Sequence, residues 1–231
     1  MATNWQLATV TDVRQETARA RTLRLDLGTA SHHLAGQHYV VRLTAPDGYT
    51  AQRSYSVASA PDGTAQVELT IERLDGGEVS EFLCDIVEPG DELEVLGPIG
   101  TWFAWRGTEE VLGVAGGSGV VPLAAMLRQA RAAGRPELVR IVVSARRPAD
   151  LYYRAELPGP ETTLLYTRDA PAGDPRPAGR ITAADLVPVL RPEGTVFVCG
   201  SPPFCDTVTD LLIGLGVRTD RIRVERFGPS G

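Results

Sequence analysis

Four residues in the first half of the chain, Arg53-Ser54-Tyr55-Ser56, carry groups suited to an anionic, aromatic ligand. On a strand, alternation puts Arg53 and Tyr55 on one face and Ser54 and Ser56 on the other. A guanidinium fork grips a phosphate through parallel hydrogen bonds. A tyrosine offers a flat stacking face and a hydroxyl. An ordinary polar strand face is the alternative. Gly76-Gly77-Glu78-Val79-Ser80 is a second candidate. A glycine pair running into a helix start, with a hydroxyl in the first turn, makes an anion seat. A plain loop and helix cap would use the same residues.

The third candidate is Val111 to Leu127, which reads as strand, glycine turn, helix. Gly116, Gly117 and Gly119 let the backbone bend sharply and lie close to a ligand. Val120 opens a helical pattern in which Pro122 suits the first turn, where its missing N–H costs nothing. The helix dipole and its free N–H groups then point at one spot, a seat for phosphate. No Gly-Lys-Ser/Thr follows, so this is not a Walker loop. Pro122 stands where a dinucleotide fingerprint would have its third glycine. A nucleotide loop and a tight structural turn both remain open.

Two kinds of element position these residues. From residue 5 to about 100, short strands such as Ala20–Leu27, His38–Leu43, Ser54–Ala58 and Gln66–Arg73 alternate with Gly/Pro/Asp turns, and one short helix, Glu78–Ile86, interrupts them. That spacing suggests an antiparallel barrel or sandwich. The pattern changes near Arg106-Gly107-Thr108, which divides the chain into 1–106 and 107–231. Strands Val111–Ala115, Leu138–Ser144, Thr162–Tyr166, Thr195–Cys199 and Ile222–Phe227 then alternate with helices Val120–Ala133, Asp150–Leu157, Ala183–Leu190 and Phe204–Leu215. Such alternation predicts an α/β doubly wound parallel sheet. Ligands bind these sheets at the carboxyl ends of the strands. The rule selects Gly116–Pro122, Ser144–Arg147, Thr167–Asp169, Cys199–Pro203 and Phe227.

Composition narrows the function classes. The net charge of −6 argues against a nucleic-acid surface. No apolar run reaches the roughly 20 residues of a membrane helix, and the N-terminus lacks signal-peptide blocks. Three cysteines cannot all pair, so a reducing cytoplasm is expected. Every cation is Arg; with no Lys, a lysine Schiff base or nucleophile is excluded. His32, His33 and His38 show no metal-ligand spacing, and no metal is expected.

Taken together, Arg53–Ser56, Gly77–Asp85 and Pro89–Gly100 resemble the flavin domain of the ferredoxin–NADP reductase superfamily. Gly116-Gly117-Ser118-Gly119-Val120-Val121-Pro122 resembles its G-G-x-G-x-x-P nicotinamide-dinucleotide loop. Cys199-Gly200-Ser201-Pro202-Pro203 resembles its C-G-x-P-P motif, and Glu225-Arg226-Phe227 its E-x-aromatic end. The resemblance spans nearly the whole chain. It implies an N-terminal six-stranded antiparallel β-barrel carrying FAD (1–106), followed by an NAD(P)-binding α/β domain (107–231). It places Arg53 on the pyrophosphate, Tyr55 on the flavin ring and Ser56 near flavin N5, with Ser54 counted among the cofactor-binding residues. Gly77, Val79 and Ser80 fall at the pyrophosphate. Gly116, Gly117, Gly119, Val120 and Pro122 hold the dinucleotide, with Cys199, Gly200 and Pro202 beside the nicotinamide. Glu225 would tune or relay a proton, and Phe227 would cover the flavin.

The implied reaction is hydride transfer from NAD(P)H to FAD, then electron release to an acceptor. Arg146, Arg147 and Arg168 put three guanidiniums at strand ends where a 2′-phosphate would need them, with Arg146 and Arg168 taken as its ligands, so NADPH is favoured and NADH is possible. A fused plant-type ferredoxin needs C-x4-C-x2-C and a fourth Cys, which the three cysteines do not supply. The expected partner is therefore separate: a [2Fe-2S] ferredoxin serving an oxygenase such as a P450, or an oxygenase component. A flavin-holding electron-transfer or regulatory subunit and a free-flavin reductase are the alternatives. A monomer with no membrane or nucleic-acid partner is expected.

Overall fold

The computed structural model describes residues 4–191 and 193–228. Strands β1 (Trp5–Thr17), β2 (Ala20–Asp26), β3 (His38–Thr44), β4 (Thr50–Ser56), β5 (Gln66–Glu72) and β6 (Glu92–Ile99) form one sheet in the order β4-β3-β6-β1-β2-β5. Every neighbouring pair is antiparallel. A bridge between Val57 and Leu69 ties the end of β4 to β5 and closes the sheet into a barrel. Leu23, Leu25, Tyr39, Val41, Leu69 and Val95 fill its interior. Helix α1 (Glu78–Asp85) buries Val79 and Leu83 against that core. It covers the region where β4 and β5 meet.

The chain leaves the barrel along a segment tied back to it. Trp105 is fully buried, its N–H donates to the Ala35 carbonyl, and its indole donates to the Glu109 carbonyl. Beyond it come β7 (Val111–Gly116), α2 (Val120–Ala132), β8 (Val139–Ala145), β9 (Thr162–Tyr166), α3 (Ala183–Leu186), β10 (Thr195–Gly200), α4 (Pro202–Gly214) and β11 (Ile222–Arg226). Their five strands run parallel in the order β11-β10-β7-β8-β9. Strands buried on both faces read as continuous apolar runs, as VLGVA and VRIVVSA do. Helix α2 covers one face; α3 and α4 cover the other. The α2-side core also contains Ala20, Ala35 and Ala58 from the barrel. One continuous apolar core therefore joins the two halves. Among the described residues, no helix is long and apolar enough to cross a membrane.

Four elements differ from the sequence expectation. No helix forms over 150–157; the segment is a series of turns. Tyr153 has φ +53°, a left-handed conformation that ends any helix. Leu151, Tyr152 and Tyr153 are all buried, whereas an amphipathic helix would bury only one stripe. Helix α3 stops at Leu186, because Pro188 lacks the N–H that would extend it. Helix α4 starts earlier than Phe204, with Pro202 and Pro203 in its first turn. Strand β4 begins at Thr50 and ends at Ser56, set by its hairpin register with β3 (Thr44 opposite Thr50).

A buried histidine sits at the barrel's edge. His33 Nδ1 is 2.9 Å from Ser31 Oγ, which is 3.1 Å from the Tyr39 hydroxyl. Burial holds the His33 imidazole below its ordinary pKa, against the Ser59 carbonyl and Asp62. Burial does the same to His38. A histidine depressed in the native state contributes stability that is present above its unfolded pKa, about 6.5. That stability is lost as the pH falls below this value. The thermal midpoint should therefore drop between pH 7 and pH 5, and His33→Gln should flatten the drop. An identical slope in both proteins, measured by calorimetry, would refute this.

Candidate functional site

The barrel side of the site is built on β4 and α1. Arg53 is exposed; its Nη1 donates to the Gln52 carbonyl at 2.7 Å, and among the described residues it has no acidic partner. Ser54 is also exposed. Tyr55 lies opposite Tyr39 in the β3–β4 register, and burial pushes its phenol well above the ordinary range. The Tyr55 hydroxyl and Ser56 Oγ are buried without a hydrogen-bond partner among the described residues. Buried polar atoms are normally satisfied, because an orphan costs about 1–3 kcal/mol. Among the described residues Gln129 Oε1, Thr162 Oγ1, Thr209 Oγ1 and Glu225 Oε2 are in the same condition; Tyr55 and Ser56 stand out in being consecutive on β4, within one motif.

Helix α1 presents its first-turn N–H groups near this strand. Gly77 is its N-cap, and Val79 and Ser80 are buried in the first turn. The Ser80 hydroxyl has a different task from contacting an anion. It accepts from the Leu74 N–H at 3.2 Å and donates to the Gly77 carbonyl at 3.1 Å, so it shapes the loop. The sequence reading missed Tyr49, whose hydroxyl donates to Glu78 Oε2 at 3.0 Å and links the start of β4 to the start of α1. Nothing in the local pattern marks that residue, since the contact spans β4, the loop after it and the whole of β5.

The sheet side is built on two glycine-bearing loops that press together. Gly117 has φ +57°, which lets the chain turn from β7 into α2. A Cβ on Gly119 would fall 2.1 Å from the Cys199 carbonyl oxygen. The β7–α2 and β10–α4 loops can touch only with glycine there. Cβ atoms on Gly116 or Gly200 would each meet the Phe204 ring at 2.8 Å. Phe204, another residue the sequence reading left without a role, is the platform under both loops. Val120 and Pro122 are buried in the first turn of α2, and Pro202 opens α4.

Cys199 is fully buried and lies opposite Glu225 in the β10–β11 register. Burial, then the charge of Glu225, pushes its thiol far up, so it packs as a neutral group. Glu225 Oε2 is buried without a partner, and burial raises the carboxyl to about 7. The Phe227 N–H donates to the Gly200 carbonyl at 2.8 Å, and its ring packs against the α2-side core. Ala58, two residues beyond Ser56, lies in that same core with Cys199. The two halves of the chain thus share one apolar core.

Farther along the sheet, the Arg168 and Asp169 N–H groups donate to the Arg146 carbonyl at 3.0 and 3.3 Å. This zips the β8 and β9 ends together and brings Arg146 and Arg168 near each other. Both side chains are exposed and, among the described residues, lack an acidic partner. Arg147 instead pairs with Asp169 at 2.7 Å.

Comparison with known proteins assigns a domain family to each half of the chain. Residues 6–104 match the family model for an oxidoreductase FAD-binding domain, and residues 114–210 match that for an oxidoreductase NAD-binding domain. The chain is 35% identical over 208 residues to ferredoxin–NADP reductase B of Sorangium cellulosum, covering 84% of each. It is 29% identical to the propane 2-monooxygenase reductase component of Rhodococcus jostii, matching 78% of this chain but about half (52%) of that one. The solved structure of the ferredoxin reductase in carbazole 1,9a-dioxygenase superposes with a TM-score of 0.83 at 26% identity, over 99% of this chain and 70% of that one. A flavin module followed by a nicotinamide-dinucleotide module defines a flavoprotein oxidoreductase. The chain belongs to the ferredoxin reductase-like superfamily of FAD-dependent NAD(P)H oxidoreductases.

Two measurements test the geometry. Gly119→Ala forces backbone apart at the loop contact and should cost about 1–3 kcal/mol in unfolding free energy; an unchanged denaturation midpoint would refute the close approach. Glu225 carries the opposite pH sign to His33. An acid whose native pKa is raised loses stability as pH climbs from its unfolded value toward 7 and above. In the ligand-free protein Glu225→Gln should be more stable than the wild type at pH 8, by on the order of 2 kcal/mol, and equal to it near pH 4. A pH-independent difference would overturn the assignment.

Proposed function

We propose that this protein draws electrons preferentially from NADPH and passes them, by way of FAD, to a separate [2Fe-2S] ferredoxin or an oxygenase component. The observation that supports the site assignment is that three of the six buried side-chain polar atoms without a partner among the described residues fall in the motifs: the Tyr55 hydroxyl, Ser56 Oγ and Glu225 Oε2. When bound, FAD supplies the hydride acceptance from NAD(P)H and the onward release of electrons. The protein's own groups bind, orient and exclude. Arg53 and the first-turn N–H groups of α1 neutralise the pyrophosphate of FAD. Tyr55 gives a ring to stack on, and Ser56 a hydroxyl to hydrogen-bond at the ring edge.

On the sheet side, the glycine loop and the N-terminus of α2 hold the dinucleotide phosphates. Cys199 packs beside the nicotinamide as an uncharged, compact group. Phe227 shields the reactive face from water. Glu225, poised near 7, holds or gives up a proton near that face at working pH.

Arg146 and Arg168 support the preference for NADPH, because two free guanidiniums at adjacent strand ends suit a 2′-phosphate. Arg147 is already engaged by Asp169 and is not assigned to it. The separate acceptor is supported by relatives named as ferredoxin reductases and as reductase components of oxygenases.

The purified protein should bind FAD, turn yellow and bleach under anaerobic NADPH. In stopped-flow reduction, Arg168→Ala should raise the apparent dissociation constant for NADPH roughly tenfold or more, as losing one charge-assisted contact would. The constant for NADH should move little. Equal effects on both dinucleotides would remove the 2′-phosphate assignment.

A further inference from the structure

An ion-pair and hydroxyl clasp crosses the interface between barrel and sheet, on the outer face of β1, β2 and β5. Its node is Arg128, in the third turn of α2. Arg128 Nε and Nη2 donate to the two carboxylate oxygens of Glu156 at 2.8 and 2.7 Å. Its Nη1 donates to the Ala58 carbonyl at 2.8 Å and to Glu68 Oε2 at 3.1 Å. Its guanidinium also lies over the Tyr153 ring, 4.7 Å from the centroid. Tyr153 in turn sends its hydroxyl to within 2.6 Å of Thr70 Oγ1, and Thr70 lies 2.8 Å from Thr22 Oγ1. The Tyr153 N–H donates to Glu16 Oε2 at 3.2 Å.

Three features set this cluster apart from ordinary surface polarity. Thr22, Glu68 and Thr70 are buried although they lie on the outside of the barrel. Glu68 also receives Arg24 at 2.8 Å, so the clasp is anchored on two barrel strands. Tyr153 sits at φ +53°, a conformation a non-glycine residue holds only when its surroundings enforce it. Here the surroundings are contacts from the other half of the chain.

The connectivity gives the clasp a consequence. At its N-terminus α2 follows directly from the Gly116–Pro122 loop. Two turns later the same helix grips the carbonyl of Ala58, two residues past Ser56. One rigid rod thus carries the dinucleotide loop at one end and holds the flavin strand near its middle. We propose that Arg128, braced by Tyr153, is a positioning residue that sets the spacing between the dinucleotide loop and Ser56, and so the rate at which hydride passes between the two bound cofactors. The inference rests on the assignment of those two places to nicotinamide and flavin. Hydride transfer tolerates little misplacement, since the reacting atoms must approach to about 3–3.5 Å.

The test compares Arg128→Met, Glu68→Gln and Tyr153→Phe with the wild type. Tyr153→Phe removes only the hydroxyl contact to Thr70 and keeps the ring under the guanidinium. In the ligand-free protein, hydrogen exchange is measured for amides 56–72 and 146–160; both segments should exchange faster in each variant. In the FAD-loaded protein, stopped-flow mixing with NADPH separates the limiting reduction rate from the dissociation constant. Arg128→Met should lower the limiting rate at least about tenfold, as displacement at the reacting centre would, with the dissociation constant changed less than about twofold. Tyr153→Phe should give a smaller loss of the same kind, and Arg128→Lys, a point charge without the fork, should fall between Met and wild type. If Arg128→Met does not fold, Glu68→Gln and Tyr153→Phe decide the matter. Faster exchange with an unchanged limiting rate would overturn the proposal, because the clasp would then be structural only. A weakened dissociation constant at an unchanged limiting rate would also overturn it. Failure of the cofactor assignment itself would look different: the wild type would not be reduced by either dinucleotide.

Discussion

The structure depends on one helix being covered on two sides. Helix α2 packs one flank on the parallel sheet and another on the barrel, so its small residues, Ala124, Ala125 and Ala130, are all buried. Small side chains let three layers approach closely around a single rod. Two cofactors held by different halves of a chain can react only if those halves keep a fixed relation. A continuous apolar core supplies much of that rigidity without any directional bond. The ions and hydroxyls around Arg128 add direction to it.

The site shows the reverse economy. Tyr55, Ser56 and Glu225 each keep a polar atom in the dry interior with no protein partner. Gln129, Thr162 and Thr209 each do the same, whereas other buried polar groups are satisfied. The Cys205 thiol meets the Gly200 and Glu225 carbonyls, and the Trp105 indole meets that of Glu109. The unsatisfied atoms that fall in the motifs are a local sacrifice of stability there. A ligand that fills their hydrogen bonds is held in part by the stability it restores.

What was legible in the sequence was what is local. Arg53–Ser56 and Gly116–Pro122 carry their chemistry in consecutive residues, and the strand–helix alternation after Val111 gives the parallel sheet directly. The segment 150–157 was misread because its spacing of apolar residues fits a helix, while its real constraint is contact with distant strands. Tyr153 meets Glu16 and Thr70, respectively 137 and 83 residues away. Phe204 could have been suspected as a large apolar residue directly after Pro203. Arg128 could not: on paper it is one more cation on an amphipathic helix.

The absence of lysine takes on a physical meaning at the clasp. A guanidinium keeps its charge over the whole working range of pH, and it does so even when half-sunk in protein. Burial alone would lower the Arg128 pKa, yet the hydrogen bonds and charge of Glu156 keep it raised. Burial alone would raise the Glu68 carboxyl, yet the Arg24 hydrogen bond and the charges of Arg128 and Arg14 hold it below its usual value. Both partners therefore stay ionised when Glu225, on β11, changes state near 7. A proton taken up or released by Glu225 thus leaves the charges that tie barrel to sheet unchanged.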